Sequence, residues 1–361
     1  VARESIVLLK NQNKILPLKK NLNSIAVIGP NSDTLDSLIG EYYGTPSTYV
    51  TPLQGIRNKV APNTKIFYSK GCDHLGDSKE EFKNAKTLAE RSDIVIMFMG
   101  LTGQIEGEEG YVTGPLVGDR KELSLPKIQQ ELLRHIFQTG KPIILVLLSG
   151  GCLSVPFSKE NVPAILQAWY PGEEGGSAIA DVIFGDFNPS GKLPITFYNS
   201  VDQLPDFKDY KMLNRTYRYL NENPLFPFGF GLSYTSFEYS DFKISPLELS
   251  KEDEIQISVD VLNIGKQPGQ EIVQLYLKKL ESKNRIPLIE LKGFKKIYLK
   301  RGEMKKVSFM LTSDQYSIVN EEGNRIIESG IYRIFIGGCQ PDTPFSKCLK
   351  KSFEITFNKN L

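Results

Sequence analysis

Histidine is nearly absent from this chain, with only His74 and His135 in 361 residues. With so few imidazoles and no paired C-x-x-C, a zinc centre is not expected. Neither histidine has a triad context and there is no G-x-S-x-G, which argues against serine-hydrolase chemistry. IAVIGPNSD opens like a dinucleotide site but lacks G-x-G-x-x-G, and LSGG (Leu148 to Gly151) is not followed by GK[ST]. No run approaches the ~20 apolar residues of a membrane span. The longest, PIILVLL (Pro142 to Leu148), suits one buried strand. Neither charge sign dominates: 44 basic and 42 acidic residues leave +2, no footprint for nucleic acid or an anionic membrane. Four cysteines are too few for a disulfide scaffold. Cys339 and Cys348 flank the turn-like QPDTPFSK and are either bridged, which would favour an oxidising compartment, or free. There is no initial Met and no signal sequence; VARESIVLLKN reads as the middle of a longer chain.

What is present falls into two textures. Up to about Asn188, short apolar strands alternate with helical patterns. Strands are expected at SIAVIGP, TKIFYS, IVIMFMG, PIILVLL and AILQAWY. Thr51 with Pro52 marks a helix start, and SKEEFKNAKTLAERS puts Phe82, Ala85, Leu88 and Ala89 on one face. Repeated βα units with continuous apolar strands predict a mostly parallel sheet covered by helices on both faces. Sites in such sheets form beyond the carboxyl ends of the strands. NPSGKLPITFYNSVDQLPDF then reads as a long irregular connection, and the aromatics and glycines of LFPFGFGLSYTSFEYS as a segment folded against a domain surface. From about Phe242 the period becomes two, which predicts an antiparallel β-sandwich of roughly 110 residues. Its lysines, Lys278, Lys279, Lys295 and Lys296, read as solvated faces.

One loop carries chemistry. GQIEGEEGY places Glu106, Glu108 and Glu109 within four residues, just after the buried strand DIVIMFMG. A solvated charged turn is one reading. The other is a ligand site: glycines allow close approach, and Asp119 and Arg120 of GDRKELSLP either brace the loop or form an ordinary ion pair. Crowded carboxylates raise one another's pKa, which is what a general acid near neutral pH needs. Glycoside hydrolysis uses such an acid with a second carboxylate, ~5–5.5 Å away in retaining enzymes. Trp169, at a strand end in QAWYPG, is either a sugar-stacking ring or core.

VARESIVLLKN, GEYYGTPSTYVTPLQGI, EGEEGY…GDRKELSLP, ILQAWYPGEEGGSAIADVIFGDFNPSGKLPITF and YRYLNENPLFPFGFGLSYT together resemble glycoside hydrolase family 3, over nearly the whole chain. The resemblance implies an α/β sandwich followed by an all-β fibronectin type III-like sandwich, the last two of three domains whose first is a TIM-like barrel. It implies a linker from that barrel at 1–23, the family's C-terminal α/β sandwich at 24–200, an irregular connection at 201–241 and the fibronectin type III-like domain at 242–361. The implied activity is that of a retaining exo-hydrolase releasing single sugars from β-xylosides or β-glucosides, without metal or organic cofactor. Its nucleophile would be an aspartate of the barrel, with no counterpart among these residues. Its acid/base would be a glutamate of the acidic loop. An E-x-E pattern points to Glu108 and a G-E-G-Y pattern to Glu109; Glu108 is taken first, with Glu106 and Tyr111 as sugar contacts. The expected partners are a β-linked glycoside and the barrel, without nucleic acid or membrane span, and this chain alone is expected to be inactive. GEYYGTPSTYVTPLQGI looks more like the xylosidase members. The family's frequent export favours a periplasmic or secreted location. The competing reading is a non-catalytic carbohydrate-binding or structural accessory module.

Overall fold

The computed structural model describes residues 1–41, 43–106, 120–249 and 253–356. The chain divides into two compact units. One is Val1–Gly191 with Phe197–Asp202 and Gly231–Tyr234; the other is Lys192–Thr196 with Gln203–Phe230 and Thr235–Leu361. No helix among the described residues is long and apolar enough to cross a membrane.

The first unit is built on a six-stranded sheet. Its strands are β1 (Val7–Asn11), β2 (Ser24–Ile28), β3 (Lys65–Ser69), β4 (Ile94–Gly100), β5 (Ile143–Leu148) and β6 (Ala164–Gln167), in the order β1-β6-β5-β4-β2-β3. β2 to β6 are parallel; β1 pairs antiparallel with β6, Val7 opposite Gln167. Every residue of β2, β4, β5 and β6 is buried, as strands covered on both faces must be. β1 lies inside the stretch expected as a linker. Helices α1 (Pro52–Lys59), α2 (Phe82–Glu90), α3 (Lys127–Phe137), α4 (Pro156–Asn161) and α5 (Gly175–Ile183) make the crossovers and flanks.

Local chemistry sets these helices. Thr51 caps α1 in a reciprocal box: its hydroxyl accepts from the Gln54 N–H at 3.3 Å, and the Gln54 side chain accepts from the Thr51 N–H at 3.1 Å. Phe82, Ala85 and Ala89 of α2 are buried on the expected face, with Leu88 half-buried at its margin. α1 and α5 cross where both carry glycine. A Cβ at Gly176 would lie 2.0 Å from the Thr51 carbonyl oxygen, and one at Gly55 2.1 Å from that of Gly176. Gly176 of PGEEGGSA therefore serves helix packing, while Gly172 takes the positive φ of the preceding turn.

β2 is followed by β3 on one side and by β4 on the other. Strand order reverses between β2 and β4, and such a switch point opens a crevice at the carboxyl edge.

The second unit is a β-sandwich. One sheet holds β8 (Glu248–Leu249), β10 (Gly269–Lys279), β11 (Glu290–Leu299), β15 (Gly330–Gly337) and β16 (Leu349–Ile355), in the order β11-β10-β15-β16-β8. The other is β12-β9-β7, from Met304–Leu311, Ile255–Asn263 and Phe237–Ser245; β13 (Ile318–Val319) and β14 (Arg325–Ile326) form a small ribbon. β9 shows the period-two signal most cleanly, burying Ile255, Ile257, Val259 and Val261. Residues 225–230 of the expected aromatic segment pack within this unit, while 231–234 belong to the first. Phe226 stacks on Phe230 at 5.9 Å, and Phe228 on Tyr217 at 4.1 Å. The Gln274 side chain ties the segment to β10, donating to the Gly229 and Gly338 carbonyls at 2.9 Å each.

One side-chain reading changes here, and the open one for the cysteines resolves. Lys279 is not solvated: it is 7% exposed, donates to the Ser329 carbonyl at 3.0 Å and lies over the Tyr332 ring. Cys339 and Cys348 are free thiols, with Cys348 Sγ 3.2 Å from the Cys339 carbonyl oxygen. Burial pushes the Cys339 thiol up to about 12.

Candidate active site

The loops leaving β2, β4, β5 and β6 converge at the carboxyl edge. After β4 the chain makes a single helical turn, Gly103–Glu106. Gly103 must be small, because a Cβ there would lie 2.9 Å from the Gly40 carbonyl carbon in the loop after β2. Asn31, buried after β2, fastens the same two loops by donating to the Leu101 carbonyl at 2.8 Å.

Glu106 projects from this turn and is held from two further loops. The Gly150 N–H donates to its Oε2 at 3.0 Å, and the Tyr170 hydroxyl donates to the same oxygen. Gly150 belongs to LSGG after β5, so that loop presents its amide to a carboxylate of the chain itself. A Cβ at Gly150 would lie 3.0 Å from Glu106 Oε2 and 3.2 Å from the Tyr170 ring. A larger residue would push the carboxylate from its cradle. Burial first, then the adjacent Glu106 carboxylate, raises the Tyr170 phenol far above its ordinary value. Tyr170 is therefore a fixed proton donor to Glu106 throughout the working pH range.

Arg120 re-enters the described structure beside this cradle. Its Nη2 donates to the Cys152 carbonyl at 2.9 Å. A Cβ at Gly151 would lie 3.4 Å from Glu106 Oε1 and 3.7 Å from Arg120 Nη2, so acid and base flank one glycine. Arg120 thus braces the loop after β5; Asp119, with which the sequence pairs it, lies outside the described residues. Gln167 supports that loop from below, donating to Ser149 Oγ at 3.1 Å.

Glu106 is the one expected site residue inside the described structure; Glu108, Glu109 and Tyr111, with Asp119, lie outside the described residues. Trp169 is half-buried at positive φ, donates its indole N–H to the Ser5 carbonyl at 3.0 Å, and meets Phe197 edge-on. The ring that reaches the site is its neighbour Tyr170, which the sequence signalled only by its place in the same strand-end stretch. His135 packs on Phe82 at 5.5 Å, away from the acidic loop's cradle. Among the described residues, no group of three His, Cys, Asp or Glu could hold a metal ion.

The family profile described as Glycosyl hydrolase family 3 C-terminal domain matches residues 6–234. The chain belongs to glycoside hydrolase family 3. A Fibronectin type III-like domain profile matches residues 271–340, on the β-sandwich. A beta-xylosidase of Formosa agariphila is 41% identical over 349 residues, with 93% of this chain and 47% of that protein covered. A periplasmic beta-glucosidase of Salmonella typhimurium is 37% identical over 371 residues, with the same coverage, 93% and 47%. Among solved family structures, a β-glucosidase from Erythrobacter marinus superposes with a TM-score of 0.85 at 32% identity, covering 98% of this chain and 49% of that one. A β-glucosidase from Listeria innocua in complex with isofagomine gives 0.83 at 28% identity, with 98% and 49% covered. The chain thus spans about half the length of the family 3 relatives it matches, and it carries the family's α/β and fibronectin type III-like parts.

Proposed function

We propose that this chain is the acid/base-bearing part of a retaining exo-β-glycosidase acting on terminal β-xylosides or β-glucosides. The observation that carries the proposal is the Glu106 cradle. In a family 3 chain, it anchors the start of the acidic loop at the switch point of a parallel sheet, where a ligand crevice forms.

Glu108 is the general acid/base in this reading, with Glu109 next in order. In the first step it protonates the leaving glycosidic oxygen; in the second it takes a proton from the attacking water. Glu106, held by Tyr170 and Gly150, offers an oxygen to sugar hydroxyls two residues before that acid in sequence, and Tyr111 contacts the sugar. The nucleophile belongs to the barrel domain that the family resemblance implies. The names of the relatives support β-xyloside and β-glucoside as the substrate class.

The test joins a family barrel ahead of residue 1 and measures hydrolysis. Glu108→Gln should lower turnover of substrates with poor leaving groups about 10²–10⁴-fold, while activated aryl glycosides suffer less. If Glu109→Gln has that effect instead, the acid is one residue on. If neither does, the loop does not supply the acid.

A further inference from the structure

Residues 205–216, PDFKDYKMLNRT, lie in the irregular connection and belong to the second unit. Four of their side chains are large, apolar and open to solvent: Phe207 is 76% exposed, Tyr210 85%, Leu213 48% and Met212 42%. Single exposed apolar residues are ordinary, but a cluster of four in one short loop marks an interaction surface. Asp206 and Asp209 balance Lys208 and Lys211, so the loop carries no net charge there to select an ionic ligand.

The loop is held in one shape. Asp206 Oδ1 accepts from the Lys208 N–H at 2.8 Å and Asp209 Oδ1 from the Lys211 N–H at 2.9 Å, closing two tight turns. The Arg215 guanidinium ties these turns together, donating to the Asp206 carbonyl at 2.7 Å and the Asp209 carbonyl at 3.0 Å. Met212, Asn214 and Thr216 have φ of 62°, 57° and 53°, a left-handed region that bulky and β-branched residues seldom occupy. Contacts with the sandwich fix the rest. Arg285 donates to the Lys211 carbonyl, the Leu288 N–H to the Arg218 carbonyl at 2.7 Å, and the Leu291 N–H to the Tyr217 hydroxyl at 3.1 Å. Strained conformations persist where their surroundings fix them, and they concentrate where a protein meets a ligand or partner. Here the strain holds apolar side chains outward, where by themselves they gain no burial.

We infer that this loop is a docking surface for the remainder of a complete family 3 protein, the barrel implied ahead of residue 1. The inference rests on the reading that such a barrel precedes the chain. The relatives are about twice as long as the part they share with this chain, so a whole family member carries a further body of about equal size. That body needs a seat on this one. Interfaces of this kind have apolar centres with polar rims, and they favour Phe, Tyr and Met. Phe207, Tyr210 and Met212, flanked by the two aspartates and two lysines, have that composition. A loop already fixed in shape also loses little conformational freedom on docking.

The test compares chain 1–361 alone with the same chain joined to a family barrel ahead of residue 1, by hydroxyl-radical footprinting read in a mass spectrometer. Labelling of Phe207 and Tyr210 should fall about tenfold on joining, as 85% exposure at Tyr210 gives way to a buried interface core. A second measurement combines Phe207→Ala with Tyr210→Ala. The double variant should leave the melting temperature of 1–361 within about 1 °C and lower that of the joined protein by about 5 °C. Unchanged labelling on joining, or an equal shift in both proteins, overturns the inference. So does labelling that falls in 1–361 alone as its concentration rises, which marks a second copy as the occupant. Protection of 1–361 by added xylo-oligosaccharide overturns it too, by marking a sugar platform. Turnover is a separate readout. A joined protein that hydrolyses glycosides with these rings still exposed removes the docking surface and leaves the acid/base reading standing. Protected rings in an inactive joined protein do the reverse.

Discussion

The imidazole of His74 follows β3 with its Nε2 buried and without a hydrogen-bond partner among the described residues. Burial, then the Lys70 charge, lowers its pKa from an ordinary 6.5 to about 4, against the opposing pull of Asp36 and Asp73. Between those values the unfolded chain takes up a proton that the folded chain refuses. Stability is therefore full above about pH 6.5, falls as pH drops towards 4, and levels off below, by at most roughly 3 kcal/mol. His74→Gln should flatten that limb in urea titrations from pH 7 to pH 4; an unchanged slope would assign the acid sensitivity to other groups. At this scale the sequence was half legible. The crowding of Glu106, Glu108 and Glu109 singled out the turn in which Glu106 is held, because like charges in series need a reason. The partners of Glu106 were hidden, because Gly150 and Tyr170 come from other strands and meet it only in the folded sheet.

Elements pack where side chains permit, and at Gly55 and Gly176 the α1–α5 crossing leaves no room for a Cβ. Gly176→Ala would place a methyl group 2.0 Å from the Thr51 carbonyl oxygen, so backbone must move. The expected cost is about 3 kcal/mol or more, read as a shifted urea midpoint. Gly44→Ala is the control: a Cβ there meets nothing within 4 Å, and the change should stay within ~0.5 kcal/mol. A Gly176→Ala protein as stable as the parent would show that the helices can separate freely. The buried strands β2, β4, β5 and β6 were legible as unbroken apolar runs, and the α1 cap as Thr-Pro. β1 was not, since nothing in VLLKN marks it for antiparallel pairing rather than connection. β11 was obscured because an edge strand with lysines and Gly293 shows little alternation, and its residues range from buried to exposed without period two.

At the scale of the whole molecule, family and fold order were legible from long motif blocks. The unit borders are more interleaved than a linear reading suggests, because 192–196 and 203–230 belong with the sandwich and 197–202 and 231–234 with the α/β unit. Under the proposed function, one carboxylate performs half of a two-carboxylate reaction. Purified 1–361 should therefore release no nitrophenol from aryl β-xylosides or β-glucosides above the buffer rate. Turnover that co-purifies with the chain would place both carboxylates on it.

The direction of β1 has a consequence for any larger protein. Because it runs against its neighbours, Val7 is level with Gln167, the last residue of β6. The Trp169 indole grips the Ser5 carbonyl at that same rim. A polypeptide joined ahead of Val1 is thus delivered to the end of the sheet where Glu106 waits, and needs no long tether to reach it.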